Sequence, residues 1–379
     1  MRIIIVDDNV TNQMIIRTIL SKEGYSDLRI ASSASELYGM LHLDSECGAE
    51  EPVDLILLDM MMPEIDGLEA CRRVQSEERY RDVPIIFVTA VGESTKLAEA
   101  LDAGASDYVM KPINKLELMA RIRSALRLKQ EKDWHKKQDK RIRYELELAK
   151  QVQRSVLSDP IVNERIEIKA EYRPSSELAG DYYAWFRIDR NRYGIILLDM
   201  MGHGISSSLV CMFISSVLKD LILRITDPEE VMVELNRYMG QLYRRDELIN
   251  YYFTGIFLVV DTDSQTYEYV NAGHPSGLVI TESGCTELTS GGPAIGLFQQ
   301  IKVTKEVVAY QPGTVIALYT DGLLDAMNDR DDDARREIIS SAVRSGRGVS
   351  PDMLVNSMLG EGADNAQRDD ICLVTVTLS

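Results

Sequence analysis

Two sets of acidic residues in this chain have the make-up of phosphate chemistry. The first is Asp7, Asp8 and Asp59, together with Thr89 and Lys111. Three carboxylates crowded together repel one another and need a hard divalent cation, for which oxygen ligands and octahedral geometry point to Mg²⁺. A metal, the fixed charge of a Lys and a hydroxyl donor form the set that stabilises a phosphoryl group moving onto a carboxylate. The second set lies in Gly180-Asp181, Asp199-Met200-Met201-Gly202-His203-Gly204, Tyr319-Thr320-Asp321-Gly322 and Arg368-Asp369-Asp370-Ile371. Carboxylates at strand edges with Gly beside them let backbone carbonyls and water approach an ion, which suits Mg²⁺ or Mn²⁺. Any one Asp-Gly pair is by itself a tight turn, but four such motifs shift the balance toward a metal site. The chain has no Ser or Cys nucleophile motif, no His-Glu-x-x-His and no P-loop. Two metals activating a water are then left to do the chemistry, and phosphate-ester hydrolysis is the predicted reaction.

Both sets need strands to hold them. From Met1 to about Leu128, apolar runs (Ile3–Val6, Asp54–Leu58, Ile85–Thr89, Tyr108–Val109) alternate with amphipathic ones (10–23, 66–76, 93–102, 114–128). That alternation predicts a parallel sheet with helices on both faces, whose functional residues gather beyond the carboxyl ends of the strands. Asp7 and Asp8 end the first strand, Asp59 the third and Thr89 the fourth, and Lys111 follows the fifth. All five therefore reach one end of one sheet. From about Ile161 onward strand-like runs dominate (165–173, 193–199, 253–260, 267–272, 314–319, 371–378), interrupted by amphipathic segments at 205–225 and 228–246. Asp227-Pro228 supplies the N-cap and first position of the second of these. The acidic-basic cluster Asp329 to Arg336 reads as a solvated loop.

Between these regions the charge changes sign locally. Residues Arg127 to Lys150 carry nine basic and five acidic side chains, whereas the whole chain of 379 residues carries 42 Lys plus Arg against 60 Asp plus Glu, a net −18. Ile142, Leu146, Ala149, Gln153 and Val156 recur every three or four residues, a seam that a helix presents to a partner. A solvated linker helix and a dimerising signalling helix both fit, because the repeat covers only some two heptads. The acidic balance disfavours nucleic acid and anionic membranes. Apolar stretches such as Gly194 to Leu198 and Phe253 to Val260 are too short to span a bilayer. Five scattered cysteines without a C-x-x-C pair fit buried thiols in a reducing compartment. With a strand pattern beginning at the first residues and no leader-like segment, the expected location is the cytosol.

The motifs Ile5-Val6-Asp7-Asp8, Leu57-Leu58-Asp59-Met60-Met61-Met62-Pro63, Val88-Thr89-Ala90 and Lys111-Pro112 resemble the receiver domain of two-component response regulators over roughly the first 125 residues. The resemblance implies Asp59 as phosphoacceptor and a Mg²⁺ held by Asp7, Asp8, Asp59 and the Met61 carbonyl. It also implies Thr89 and Lys111 on the phosphoryl oxygens, Tyr108 as the aromatic switch, and a cognate histidine kinase or phosphotransfer protein as donor. The four downstream aspartate motifs resemble the metal-dependent protein phosphatases of the PP2C superfamily, in the branch of bacterial stress and sporulation regulators. Asn271-Ala272-Gly273-His274-Pro275, Gly291-Gly292-Pro293-Ala294-Ile295-Gly296 and Pro312-Gly313 support this. It implies that Asp181 and Asp199, with the Met200 carbonyl, bind a pair of Mg²⁺ or Mn²⁺ ions and that Asp321 and Asp369 complete the second site. Met200-Met201 and Asp325 depart from commoner residues without removing a ligand. His203 and His274 are candidate acids, although a lone His in a Gly-rich turn is as a rule a structural donor. Asp370 is expected beside the site without ligating.

The predicted organisation is thus an α/β receiver, doubly wound on a five-stranded parallel sheet (1–126), a helical linker (127–158) and an α+β phosphatase domain (159–379). The latter is a β-sandwich flanked by helices. The expected function is hydrolysis of phosphoserine or phosphothreonine on a partner protein, an anti-sigma factor antagonist, gated by phosphorylation of Asp59, with a homodimer formed through the linker. The alternative is a catalytically weak module that sequesters its partner. A transcription factor would need a basic recognition helix, and none is visible in 159–379.

Overall fold

The computed structural model describes residues 1–43, 52–90, 94–202, 204–242, 251–289, 291–327, 331–346, 348–359 and 367–379. The chain divides into two compact units, Met1–Ile142 and Arg143–Ser379. His203 and the stretch 44–51, part of the segment Leu43 to Pro52, lie outside the described residues.

The first unit runs β1 (Arg2–Val6), α1 (Val10–Lys22), β2 (Asp27–Ala31), α2 (Ala34–Met40), β3 (Leu55–Asp59), α3 (Gly67–Ser76), β4 (Ile85–Thr89), α4 (Ser94–Asp102), β5 (Asp107–Met110) and α5 (Lys115–Ser155). The strands form one sheet in the order β2-β1-β3-β4-β5, every pairing parallel. Strands β3 and β4 are buried at every residue because both faces are covered. Ile4, Ile56 and Phe87 pack on one face with Leu37 and Val74, while Ile5, Leu57 and Ile86 pack on the other with Leu20, Leu118 and Ile122. This is the receiver-like architecture that the alternating runs predict.

Helix α5 is 41 residues long and continues past the first unit's core. Lys132 and Lys136 both pair with Asp82, so the helix stays tied to the first unit well beyond its last core residue, Leu126. It stops at Ser155, ahead of Pro160. The expected seam divides along its length: Ile142 is 52% exposed, whereas Gln153 is 3% exposed and Val156 packs into the second unit's core. Gln153 and Val156 are therefore taken up within the chain.

The second unit contains β6 (Ile161–Val162), β7 (Ile166–Arg173), β8 (Tyr182–Arg187), β9 (Arg192–Met200), α6 (Ile205–Arg224) and α7 (Pro228–Leu242). There follow β10 (Phe253–Asp261), β11 (Thr266–Ala272), β12 (Gly277–Ile280), β13 (Cys285–Leu288), β14 (Glu306–Ala309), β15 (Val315–Tyr319), α8 (Asp321–Ala326), α9 (Asp332–Ser345), α10 (Pro351–Leu359) and β16 (Ile371–Leu378). Two antiparallel sheets, β14-β11-β10-β9-β8 and β13-β12-β15-β16-β7-β6, face each other. Period-two alternation sorts the side chains. Ile195 and Leu197 point into the sandwich, while Ile196 and Leu198 point outward onto α6 and α7. Helices α8 to α10 cover the outer face of the other sheet through Ala317, Tyr319, Leu323, Ile339 and Val355. The layers are thus helix, sheet, sheet, helix.

Two expectations change. The cluster Asp329 to Arg336 is not a solvated loop throughout: Asp331 caps α9 by accepting from the Ala334 N–H, and Asp332 and Asp333 lie in the first turn, where the helix dipole favours acids. Helix α6 is long and apolar enough by composition to cross a membrane, which no stretch considered in the sequence was. Its buried residues, among them Ile214, Leu218 and Ile222, belong to the core against the sheet.

Candidate active sites

At the carboxyl end of the parallel sheet, Asp7, Asp8 and Asp59 bring one carboxylate oxygen each within 4.8 Å of one another, a spacing that fits a single ion. Asp7 and Asp59 are buried, while Asp8 is exposed at the mouth. Asp7 Oδ1 accepts from the Asn9 N–H at 2.9 Å and from Asn12 Nδ2 at 3.1 Å. Lys111 Nζ reaches both buried acids, 3.0 Å from Asp7 Oδ2 and 2.8 Å from Asp59 Oδ2. Burial pushes the Asp59 carboxyl up against the pull of Lys111. Burial also works against the Lys111 charge, but the two carboxylates outweigh it and hold its pKa above the ordinary value. The ion pairs thus keep a cation poised over the acceptor.

Of the other expected receiver residues, Thr89 is fully buried at the end of β4, its Oγ1 3.9 Å from Met60 Sδ. The Met61 N–H faces Asp59 Oδ1 at 3.4 Å. Tyr108 lies under Arg121 of α5, whose Cζ is 5.3 Å from the ring centroid and whose guanidinium pairs with Asp107 and Glu117. The Gly67 N–H donates to the Met60 carbonyl at 3.0 Å, and a Cβ on Gly67 would fall 2.2 Å from the Asp59 carbonyl oxygen. Helix α3 starts that close to the acceptor strand only because residue 67 has no side chain.

In the second unit the carboxylates come from four places: the loop before β8, the end of β9, the start of α8 and the approach to β16. Asp199 is central, with the Asp181 and Asp321 carboxyls within hydrogen-bonding reach. Burial, then Asp321, Asp369 and Asp370, raise the Asp199 pKa to about 8. Burial, followed by Asp199 and Asp370, raises Asp181 well above the carboxylate range. Burial and Asp369 raise Asp321. Asp181 Oδ2 is buried with no hydrogen-bond partner. Acids this crowded with an orphaned oxygen fit a site built for divalent cations, whose charge reverses each of these shifts. Among the described residues, the only set of three carboxylates with the spacing of a single ion is that of the first unit, Asp7, Asp8 and Asp59. The backbone of the Met200 turn approaches as well: a Cβ on Gly180 would lie 3.3 Å from the Met200 carbonyl oxygen and 2.9 Å from that of Gly202.

Beside these acids is a cavity of about 430 Å³ lined by Asp199, Thr254, His274, Tyr319, Asp321 and Arg336, among others. His274 is 4% exposed and holds Thr254 Oγ1 through Nδ1 at 2.9 Å, while its backbone N–H and carbonyl are both bonded to the Asn271 side chain. Burial pushes its pKa down to about 3, against a pull from the Tyr319 backbone. Which ring nitrogen carries the proton turns on the tautomer, so the Thr254 contact fixes the ring without assigning it the donor role.

The family model described as stage II sporulation protein E (SpoIIE) matches residues 189–379, half of the chain, and that of the response regulator receiver domain matches residues 3–123. The chain belongs to the SpoIIE family. Its SpoIIE-type region is 42% identical over 182 residues to the phosphoserine phosphatase RsbP of Bacillus subtilis (strain 168), covering 48% of this chain and 45% of that protein. Its receiver is 39% identical over 125 residues to the transcriptional regulatory protein YvrH of the same organism, covering 33% and 48%. The chain thus spans less than half the length of the curated relatives it matches. The solved SiaA-PP2C domain of Pseudomonas aeruginosa shares the fold, with a TM-score of 0.54 at 20% identity over 64% of this chain and 98% of that one. The chain is therefore a receiver joined to a PP2C-type domain of SpoIIE kind.

The structure brings Asp7, Asp8, Asp59 and Lys111 together, and gathers Asp181, Asp321 and Asp369 around Asp199. It also gives partners to two residues already noted in the sequence, Gln153 of the seam and Asp370 of the last aspartate motif. Gln153 of α5 pairs through its amide with Ala179, two residues ahead of Asp181. Asp370 spends its carboxylate on the loop before β8 rather than facing the other acids with a free oxygen. A polar residue inside an apolar seam was the available signal for Gln153.

Proposed function

We propose that the protein is a response regulator whose output is metal-dependent hydrolysis of phosphoserine or phosphothreonine on a partner protein. The single observation that carries this reading is the crowding of Asp181, Asp321 and Asp369 with Asp199, with Asp181 Oδ2 buried and unpartnered. Asp181, Asp199 and the Met200 carbonyl would hold one face of a Mg²⁺ or Mn²⁺ pair, with Asp321 and Asp369 completing the other. When bound, such ions neutralise the phosphoryl oxygens and acidify the attacking water. Asp199 would serve both ions, and the cavity beside Thr254 and Arg336 would admit the phosphorylated segment. The similarity to RsbP, named a phosphoserine phosphatase, supports a phosphoprotein substrate.

In the receiver, Asp59 accepts the phosphoryl group from a histidine kinase or phosphotransfer protein. Asp7, Asp8, Asp59 and the Met61 carbonyl would hold Mg²⁺, Thr89 and Lys111 would bind the new oxygens, and Tyr108 would report the change. The acyl phosphate carries about two negative charges where the Asp59 carboxylate carried one, and that change next to Lys111 reorganises the pocket. Helix α5 is the covalent path onward, and dimerisation would use its exposed stretch around Ile142. The substrate class that suits this architecture is an anti-sigma factor antagonist in a cytosolic partner-switching pathway. The deciding experiment measures hydrolysis of a phosphoserine protein in Mn²⁺ or Mg²⁺, with and without beryllofluoride on Asp59. Metal-dependent turnover that responds to beryllofluoride is expected. Metal binding without turnover in either state would favour the sequestering module instead.

A further inference from the structure

We infer that Asp370 is the positioning residue of the carboxylate set, fixing Asp181 and Asp321 relative to Asp369 without holding an ion itself. This rests on the phosphatase-site reading only in taking Asp181, Asp199, Asp321 and Asp369 as the metal residues.

Asp370 is 2% exposed and has three separate attachments. Its side chain accepts from the Ser175 N–H at 2.7 Å and the Ser175 hydroxyl at 2.9 Å through Oδ1, and from the Gly180 N–H at 2.7 Å through Oδ2. Ser175 and Gly180 are the two ends of the loop that delivers Asp181. Its carbonyl oxygen accepts from the Thr320 hydroxyl at 3.3 Å, next to Asp321, and that hydroxyl accepts in turn from the Cys372 N–H at 3.0 Å. Its own N–H donates to Asp369 Oδ1 at 2.8 Å. One residue thus ties together the segments that carry Asp181, Asp321 and Asp369.

The chemistry explains why an acid sits there. The three groups facing the side chain are all donors, two N–H groups and one O–H, so an acceptor-only carboxylate matches them without remainder. An Asn keeps one acceptor but turns an NH₂ toward either Ser175 or Gly180, setting donor against donor. Asp370 Oδ1 takes two of these bonds and Oδ2 the third, so the side chain is committed to the loop that delivers Asp181. Gly322 closes the other side: a Cβ there would lie 2.0 Å from the Asp370 carbonyl oxygen, which locks the start of α8 against this residue.

The test is Mn²⁺ affinity of the full chain carrying Asp8→Asn and Asp59→Asn, which remove two of the three receiver carboxylates so that the signal reports the second unit, read from the electron paramagnetic resonance of free Mn²⁺, beside the hydrolysis rate on p-nitrophenyl phosphate as a function of Mn²⁺. Asp370→Asn should weaken Mn²⁺ binding about 10- to 100-fold, the usual range for a partner one shell beyond the metal. Activity should return at saturating Mn²⁺ with the substrate KM unchanged. Ser175→Ala, which removes one of the three donors and keeps the other two, should give a smaller shift in the same direction. If Asp370→Asn fails to fold, the Ser175→Ala shift in Mn²⁺ affinity decides alone. Wild-type Mn²⁺ affinity in a folded Asp370→Asn protein, or in Ser175→Ala where that variant decides, would overturn the inference, as would a parent chain that binds no Mn²⁺. A parent chain that binds Mn²⁺ without hydrolysing would overturn the phosphatase reading and leave the affinity comparison standing.

Discussion

Gln153 and Ala179 form a two-point amide pair: Gln153 Nε2 donates to the Ala179 carbonyl at 2.7 Å, and the Ala179 N–H donates to Gln153 Oε1 at 3.1 Å. Gln153 sits on the last turn of α5, and Ala179 is two residues from Asp181. The end of the helix that leaves the receiver is therefore bonded directly to the loop carrying a candidate metal ligand.

Replacing Gln153 with Ala leaves a buried N–H and carbonyl unpaired, at a cost of about 1–3 kcal/mol for each buried group left unsatisfied. The melting temperature of the chain should drop. The ratio of hydrolysis rates with and without beryllofluoride should move toward one, because the helix end no longer grips the loop. A variant that is destabilised yet keeps the parent ratio would separate this amide pair from regulation.

Asp59→Asn removes the acceptor while keeping the shape of the pocket. The variant should give the same hydrolysis rate and the same mass in solution whether or not beryllofluoride is present, whereas the parent chain should change in at least one. Light scattering and a steady-state assay check this. A parent chain unaffected by beryllofluoride in both respects would end the gating hypothesis.

Asp199→Asn and Asp321→Asn each remove one carboxylate from the crowded set. Hydrolysis should fall by more than about 100-fold, since even partners beyond the metal ligands cost up to that much. Circular dichroism should be unchanged, and the metal-free proteins should be at least as stable as the parent because a crowded buried charge is gone. Parent-like rates would overturn the metal assignment.

The raised carboxyl pKa values at Asp181, Asp199 and Asp321 set a pH dependence for the metal-free protein. A folded-state pKa raised above the unfolded one contributes stability that is fully present below the unfolded value of about 4 and is lost as pH rises through the folded value. For Asp199 that value is about 8. The melting temperature in chelator should therefore fall between about pH 5 and 8, and the stabilisation gained on adding Mn²⁺ should grow over the same range, because ligation needs ionised carboxylates. A chelated protein whose stability rises toward pH 8 would contradict the crowding.

Much of this was legible in the residues because buried strands announce themselves. Strands β9, β10 and β16 are apolar runs ending at or beside a carboxylate, and the central parallel strands β3 and β4 of the receiver are buried on both faces. The edge strands were harder. Strands β13 and β14 are mostly exposed and only 4 residues long, and β2 is only partly buried, so none carries a continuous apolar signal. Strand β8, Tyr-Tyr-Ala-Trp-Phe-Arg, is rich in aromatic residues on both faces and was not among the runs read as strands. The start of α9 reads as a charge cluster, because Asp331 to Asp333 are acids in a row, although an N-cap acid followed by acids is how a helix begins. The role of Asp370 was beyond reach for a different reason: its partners, Ser175 and Gly180, are 195 and 190 residues away in sequence.

Gly67 and Gly322 share a property that bears on how this chain tolerates change. Each opens or follows the opening of a helix and lies against the main-chain oxygen of an acid, at 2.2 Å from that of Asp59 and 2.0 Å from that of Asp370 for the missing Cβ. A flexible side chain swings aside to admit a methyl group, whereas a carbonyl inside a strand or its approach does not. In a library of all single substitutions these two positions should be as empty of survivors as those of the acids themselves, although neither glycine has a group that can bind or react. Scoring sites by chemistry alone would pass over both.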